Sequence, residues 1–176
     1  MSDRPAVFFD RDGTLMEEVD YCNNPDDVRA ISGAAAGLAR LREAGWMIVI
    51  ITNQSGLSSG KITQAQYEAV NAELERQLDG LIDSVYFCPD ASANPTHRRK
   101  PGTGMLDEAS SDHGIDLARS WMIGDKDIDI LCGKTAGCRT ILVETGYGKK
   151  HLSVGANFIA PDVSAAMEIV LGHLPE

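Results

Sequence analysis

The chain has 176 residues, is 43% hydrophobic and 24% charged, and carries a formal net charge of -10. That length and composition are those of an ordinary soluble protein and suit one domain over residues 1–176 with a real core. The acidic balance argues against nucleic acid or an anionic membrane as partner, since both require basic surface.

The four cysteines, Cys22, Cys88, Cys132 and Cys138, form no Cys-x-x-Cys pair. They read as free thiols in a reducing compartment rather than as a disulfide framework. No apolar segment near the start suits a signal peptide, and none reaches the roughly 20 residues of a membrane span. The expectation is a cytoplasmic protein, with monomer as the default state.

Ala6–Phe9 is a short apolar run that predicts a buried strand. Asp10-Arg11-Asp12-Gly13-Thr14 follows directly, at the strand edge where open α/β sheets gather their chemistry. Residues two apart on an extended chain share a side. Asp10 and Asp12 therefore repel unless a cation lies between them or one holds a proton. That is the demand of a carboxylate nucleophile paired with an acid/base, and Gly13 permits the sharp turn afterwards.

Gly33–Ala44 predicts a helix stopped at Gly45. Met47–Ile51 is a β-branched-rich run, as expected of a central strand covered on both faces. In Thr52-Asn53-Gln54-Ser55-Gly56, which follows, a hydroxyl and amides can donate to phosphate oxygens. Equally, the segment can be a polar turn in which Asn53 caps the next helix. Thr63 and Gln66 resemble a capping box opening a helix to about Leu78, with Val70, Leu74 and Leu78 at helical spacing.

Ser84–Phe87 predicts a third strand and Cys88–Gly102 an irregular loop. Within it, His97-Arg98-Arg99-Lys100 is a dense basic run in an acidic chain. A lysine there can neutralise a phosphoryl group and an arginine can grip its oxygens in pairs, or the run is simply solvated. Met105–His113 predicts a helix stopped at Gly114, and Trp121–Ile123 a short strand. Gly124-Asp125-Lys126-Asp127-Ile128-Asp129 comes next. Asp125 can complete a Mg²⁺ site with Asp10 while Asp129 orients the shell from behind. Alternatively, Asp125 or Asp127 caps the helix running from about Asp127 to Ala136. Arg139–Val143 predicts another strand and Val163–Leu171 a last helix. Strands alternating with helices imply right-handed crossovers and a parallel sheet. No insert is long enough for a separate lid, so an open site shaped by loops is expected.

Asp-x-Asp, threonine, lysine and Gly-Asp thus fall at the ends of successive strands. Over roughly Val7 to Gly148 the chain resembles the haloacid dehalogenase-like (HAD) hydrolase superfamily. The resemblance implies a three-layer α/β Rossmann-like fold with a central parallel sheet, of the minimal, capless type. It implies that Asp10 attacks phosphorus to form an aspartyl-phosphate. Asp12 would protonate the leaving alkoxide and then activate water, which favours phosphate chemistry over dehalogenation. Mg²⁺ would be held by the Asp10 carboxylate, the Asp12 backbone carbonyl and Asp125. Thr52 and Lys100 would hold the phosphoryl oxygens, with Lys126 adding positive charge.

Within the superfamily, the chain is similar to the branch of D-glycero-D-manno-heptose 1,7-bisphosphate phosphatases and histidinol-phosphate phosphatase domains. The strings that carry this are Asp-Arg-Asp-Gly-Thr, Thr52–Lys61, Cys88-Pro89, Arg99-Lys100-Pro101 and Gly124-Asp125-Lys126. Asn53–Gly56 with Gly60-Lys61 looks more like the heptose enzymes. The resemblance implies removal of the 7-phosphate of the heptose bisphosphate in nucleotide-activated heptose biosynthesis, the substrate being a small phosphorylated sugar. Histidinol phosphate or another small phosphate ester is the alternative. Glu18, Asp20, Tyr21, Asn53, Gln54, Ser55 and Arg99 would face the substrate, Arg99 recognising the sugar or its remote phosphate.

One departure stands out. Many members of the branch hold a structural zinc through Cys-x-His and Cys-x-Cys pairs. Here those positions read Cys88-Pro89-Asp90 and Thr96-His97-Arg98. A closed zinc site needs four good ligands, so no zinc is expected. Two other classes share parts of the pattern. A receiver-like phosphoacceptor module also clusters aspartates with Mg²⁺, but Asp10 and Asp12 flanking Arg11 before Gly-Thr fit the hydrolase. A nucleic-acid 3′-phosphatase is disfavoured by the net charge.

Overall fold

The computed structural model describes residues 4–173; the ends of the expected 1–176 domain lie outside the described residues. Among the described residues six parallel strands form one sheet in the order β3-β2-β1-β4-β5-β6. They are β1 (Ala6–Phe9), β2 (Met47–Asn53), β3 (Ser84–Cys88), β4 (Trp121–Gly124), β5 (Arg139–Val143) and β6 (Phe158–Ala160). The helices are α1 (Ala34–Glu43), α2 (Gln64–Gln77), α3 (Gly104–His113), α4 (Asp127–Thr135) and α5 (Val163–Leu171).

Alternation along β1 divides the core in two. Val7 and Phe9 join the cluster formed with α1, α2 and α5. Ala6 and Phe8 point the other way, into the cluster with Met105, Leu106 and Ala109 of α3 and Cys132 of α4. Helices therefore cover both faces, giving three layers. Each fully buried large apolar side chain contributes about 1.5–3 kcal/mol, so the central strands anchor the fold.

Local signals act as expected at several ends. Thr63 Oγ1 accepts from Gln66 N, and Gln66 Oε1 accepts from Thr63 N, closing the capping box of α2. Such a cap is worth about 0.5–2 kcal/mol. Gly114 ends α3 at φ 64°, in the left-handed region that favours glycine. All four cysteines are buried free thiols.

The structure differs from the sequence expectations at three places. β2 runs on through Thr52 and Asn53, because each continues the register with β3 opposite Phe87 and Cys88. Those two residues thus sit on the strand rather than in a following turn. β6 was missed, being a three-residue edge strand whose Phe158 and Ile159 are exposed and show no buried alternation. Asp125 does not cap α4: its Oδ2 accepts from Tyr147 N at 2.9 Å, while Lys126 occupies the N-cap position.

The strand order reverses between β2-β1 and β4-β5, with β1 and β4 adjacent. That switch point leaves a crevice beyond the carboxyl ends of the strands, the usual ligand position in open α/β sheets.

Candidate active site

A polar cleft of about 180 Å³ opens at that crevice, lined by Asp10, Asp12, Glu18, Asp20, Tyr21, Asn53, Gln54, Ser55, Lys100 and Lys126, among others. Thr52 and Asp125 lie just beneath its surface, 1% and 0% exposed. Arg99 is the exception among the expected residues. It lines an adjoining recess of about 390 Å³ that shares Lys100 and Ile128 with the cleft. Its Nη1 donates to the Asp90 carbonyl at 2.7 Å.

Lys100 is the electrostatic centre. It is 2% exposed, and its ammonium donates to Asp10 Oδ1 (2.8 Å), Asp129 Oδ1 (2.7 Å) and the Ile51 carbonyl (2.9 Å). Those three bonds use all three of its N–H groups. Burial works against its charge, but Asp10 and Asp129 more than offset this and hold its pKa above the ordinary range. The backbone of Lys100 is held as well. Asn53 Nδ2 donates to its carbonyl and Asn53 Oδ1 accepts from its N–H, each at 3.1 Å. Asn53 therefore fastens the lysine loop to β2 instead of capping a helix.

Asp10, Asp125 and Asp129 each offer a carboxylate oxygen within 4.8 Å of the others. Hydrogen bonds separate their roles. Both Asp129 oxygens are taken, one by Lys100 and one by Lys126 N (3.1 Å). Asp125 Oδ2 is taken by Tyr147 N, but its Oδ1 is buried with no hydrogen-bond partner among the described residues. An orphaned buried carboxylate oxygen beside a second carboxylate suits a hard divalent cation with oxygen ligands. Burial first, and then Asp10 and Asp129, push the Asp125 carboxyl up to about 9. Burial and Asp10 push Asp129 up to about 6, against the pull of Lys100. A cation would relieve this crowding of like charge.

Two glycines let the chain approach Asp125 closely. Gly13 (φ 79°) and Gly146 (φ 54°) are left-handed, and a Cβ on either would collide with Asp125 Oδ2. Thr145 Oγ1 donates to the Gly13 carbonyl at 2.7 Å, tying the loop after β5 to the loop after β1.

Asp12 is gripped by Arg11, whose Nε and Nη2 donate to Oδ2 (3.0 Å) and Oδ1 (3.1 Å). Gln54 Nε2 donates both to Asp12 Oδ2 (3.0 Å) and to Thr52 Oγ1 (2.8 Å). Its amide thus links the acid/base candidate to the threonine. Also lining the cleft, Glu18 is pushed up to about 7 by burial and then Asp12, and its Oε2 is buried without a hydrogen-bond partner among the described residues. Tyr21 adopts φ 49° and carries Lys61 Nζ 3.8 Å over its ring.

Tyr147 was not anticipated. It lines the cleft, holds Asp125 through its N–H, and carries Lys126 Nζ 4.7 Å from its ring centroid. The available signal was Gly146-Tyr147-Gly148 a few residues beyond a strand, the fifth strand end to reach the same crevice.

Side chains brace the loop after β3. Thr96 N donates to Asp90 Oδ2 (2.7 Å), and Arg98 donates to both carboxylate oxygens of Glu108 (2.7 and 3.1 Å) and to the Phe87 carbonyl (2.9 Å).

A family model described as HAD-hydrolase-like matches residues 97–166. The chain is 40% identical to the D-glycero-D-manno-heptose-1,7-bisphosphate 7-phosphatase of Thermosynechococcus vestitus, covering 97% of each chain. It is 35% identical to the D-glycero-beta-D-manno-heptose-1,7-bisphosphate 7-phosphatase of Escherichia coli K12, covering 98% of this chain and 91% of that one. Among solved structures it is similar to the D,D-heptose 1,7-bisphosphate phosphatase from B. bronchiseptica, complexed with magnesium and phosphate. There the TM-score is 0.89 at 31% identity, over 96% of this chain and 99% of that one.

Proposed function

The chain belongs to the D-glycero-D-manno-heptose-1,7-bisphosphate 7-phosphatase family of HAD-like hydrolases, and from that premise we propose that it removes the 7-phosphate of this bisphosphate with Mg²⁺ as cofactor. The enzyme class is phosphoric monoester hydrolase. The observation that carries the reading is Asp10 at the cleft floor, with Lys100 on one oxygen and the partnerless Asp125 Oδ1 close by.

In the first step an Asp10 oxygen attacks phosphorus and the bond from phosphorus to the C7 oxygen breaks. Asp12 gives its proton to that oxygen, so the sugar leaves as an alcohol and Asp10 carries the phosphoryl group. In the second step Asp12, now a carboxylate, takes a proton from water. The water oxygen bonds phosphorus, the Asp10–phosphorus bond breaks, and inorganic phosphate leaves. The Asp10 carboxylate, the Asp12 carbonyl and Asp125 would hold Mg²⁺, with Asp129 orienting Lys100 and the Lys126 backbone from behind. When bound, the ion neutralises charge between the anionic nucleophile and the anionic phosphoryl group.

Thr52 supports the phosphoryl oxygens from below, and Lys100 supplies fixed positive charge at Asp10. Glu18, Asp20, Tyr21, Ser55 and Lys126 line the space left for the sugar. Gln54 and Asn53 act chiefly through the residues they brace. In this reading the Arg99 recess takes the second anionic group; the support is that it adjoins the cleft through Lys100 and Ile128. No zinc is part of this proposal. Thr96 and Arg98 stand at the Cys-x-Cys positions, and neither is a zinc ligand.

The test is Mg²⁺-dependent phosphate release from both anomers of heptose 1,7-bisphosphate, with histidinol phosphate and a 3′-phosphorylated DNA alongside. Strong preference for a heptose bisphosphate with loss of the 7-phosphate supports the proposal. Equal weak release from every ester would overturn the substrate and leave the phosphatase class.

A further inference from the structure

Arg11 stands between the two catalytic candidates yet is 1% exposed. Taking a guanidinium out of water costs several kcal/mol unless its donors are matched. Here they are matched in a directed way. Two of its nitrogens hold both oxygens of Asp12, and Nη1 donates to Asn71 Oδ1 at 2.8 Å. Its Cζ lies 5.7 Å from the Tyr67 ring centroid. Tyr67 and Asn71 are one helical turn apart on α2, so they face the same way and form a socket for the guanidinium. Tyr67 is in turn backed by Phe87 of β3, ring centroids 4.6 Å apart.

Core packing alone does not call for this socket. Helix α2 docks through the buried Tyr67, Val70 and Leu74, but that packing does not require Asn71 to accept from the guanidinium. What the socket does is aim one side of a planar fork. A guanidinium held at Nη1 and over a ring cannot turn, and a carboxylate bound in parallel by Nε and Nη2 must share its plane.

We propose that Asn71 and Arg11 are positioning residues for Asp12: Asn71 aims the guanidinium, and the guanidinium sets the direction in which Asp12 presents its oxygens to the leaving group. The relay rests on the acid/base reading of Asp12. Proton transfer from a carboxyl needs an approach of about 2.6–3.2 Å to the leaving oxygen, so a carboxylate free to rotate would lose much of its effect. In the step concerned the Asp12 O–H bond breaks and its proton goes to the ester oxygen. The electron pair of the breaking bond to phosphorus stays on that oxygen.

The relay has a signature that loss of structure does not. An alkyl alkoxide needs that proton to leave, whereas p-nitrophenolate is a stable anion and leaves without it. The experiment compares kcat/KM for heptose 1,7-bisphosphate and p-nitrophenyl phosphate in wild type, Asn71→Leu, Arg11→Lys, Asn71→Asp and Asp12→Asn. This parameter covers only steps up to departure of the leaving group, so the later role of Asp12 as base does not enter. Asn71→Leu, and Arg11→Lys as a variant that keeps the charge without the fork, should lose about 10- to 100-fold on the sugar ester. Their loss on the aryl ester should be under about 3-fold. Asn71→Asp keeps the acceptor oxygen and should recover most of the loss. Asp12→Asn should show the same grading more strongly. A uniform loss on both esters in Asn71→Leu and Arg11→Lys, or no loss in either, overturns the relay while graded Asp12→Asn data leave the acid role standing. A uniform loss in Asp12→Asn overturns the acid role and the relay with it.

Discussion

The Lys100 ammonium donates to the Asp10 carboxylate across 2.8 Å although ninety residues of chain separate them. The nucleophile arrives on the central strand, and its counter-charge arrives on the loop that crosses from β3 to α3. The same ammonium holds Asp129 from the start of α4, so one buried cation organises three loops.

Lys100→Met should therefore damage stability as well as activity. Breaking a buried pair leaves uncompensated carboxylates, at a cost of about 3–5 kcal/mol. Urea unfolding without Mg²⁺ should show that loss, with turnover reduced by roughly 100-fold or more. Wild-type stability in the variant would show that the ion pair is not what holds these loops.

Asp10→Asn should remove turnover by at least about a thousandfold, because an amide cannot form the acyl phosphate. Its melting temperature should stay near that of wild type, since Lys100 keeps Asp129 as counter-charge and Asp129 no longer faces a second carboxylate. Residual turnover within about tenfold of wild type would take the nucleophile role away from Asp10.

Mg²⁺ should stabilise the protein more at high pH than at low. Without the ion, the folded chain keeps a proton on Asp125 up to about pH 9, against an ordinary carboxylate value of 3.8. Between those values the folded state binds more protons than the unfolded one, so the metal-free protein loses stability as pH rises. A bound cation replaces the proton and removes that loss. Thermal melts with Mg²⁺ and with EDTA at pH 5 and pH 8 should show the larger metal-dependent shift at pH 8. An equal shift at both would mean that the ion is not held by Asp125.

Arg99→Ala should separate substrates by their second phosphate. The KM for a heptose bisphosphate should rise by about tenfold or more, as expected for a lost arginine–phosphate contact, while the matching 7-monophosphate is barely affected. Equal effects on both would place the remote phosphate elsewhere.

The loop after β3 should keep its shape without metal, since the Arg98–Glu108 pair and the Asp90–Thr96 bond brace it. Elemental analysis of purified protein should find no stoichiometric zinc, and a zinc-selective chelator should leave the melting curve in place. One zinc per chain would overturn this account.

Much of the fold was legible in the chain because its causes are local. Apolar runs such as Ala6–Phe9 and Met47–Ile51, the capping box at Thr63 and the stop at Gly114 each act within a few residues. The polar strings that follow the strands also marked where the chemistry gathers, since parallel strands all deliver their ends to one edge of a sheet. The edge strand Phe158–Ala160 left no such mark, being short and largely exposed.

The strings that follow the strands therefore point to most of the residues that reach the crevice, with Tyr147 unmarked by them and Arg99 turned aside. What each one meets there follows from the packing of the folded chain. Asn53 binds the Lys100 backbone rather than capping a helix, Tyr147 holds Asp125, and Arg99 turns into the neighbouring recess. The reason is that hydrogen bonds and charge pairs depend on which strand ends lie side by side. That adjacency is a property of the sheet order, and no local stretch of sequence encodes it.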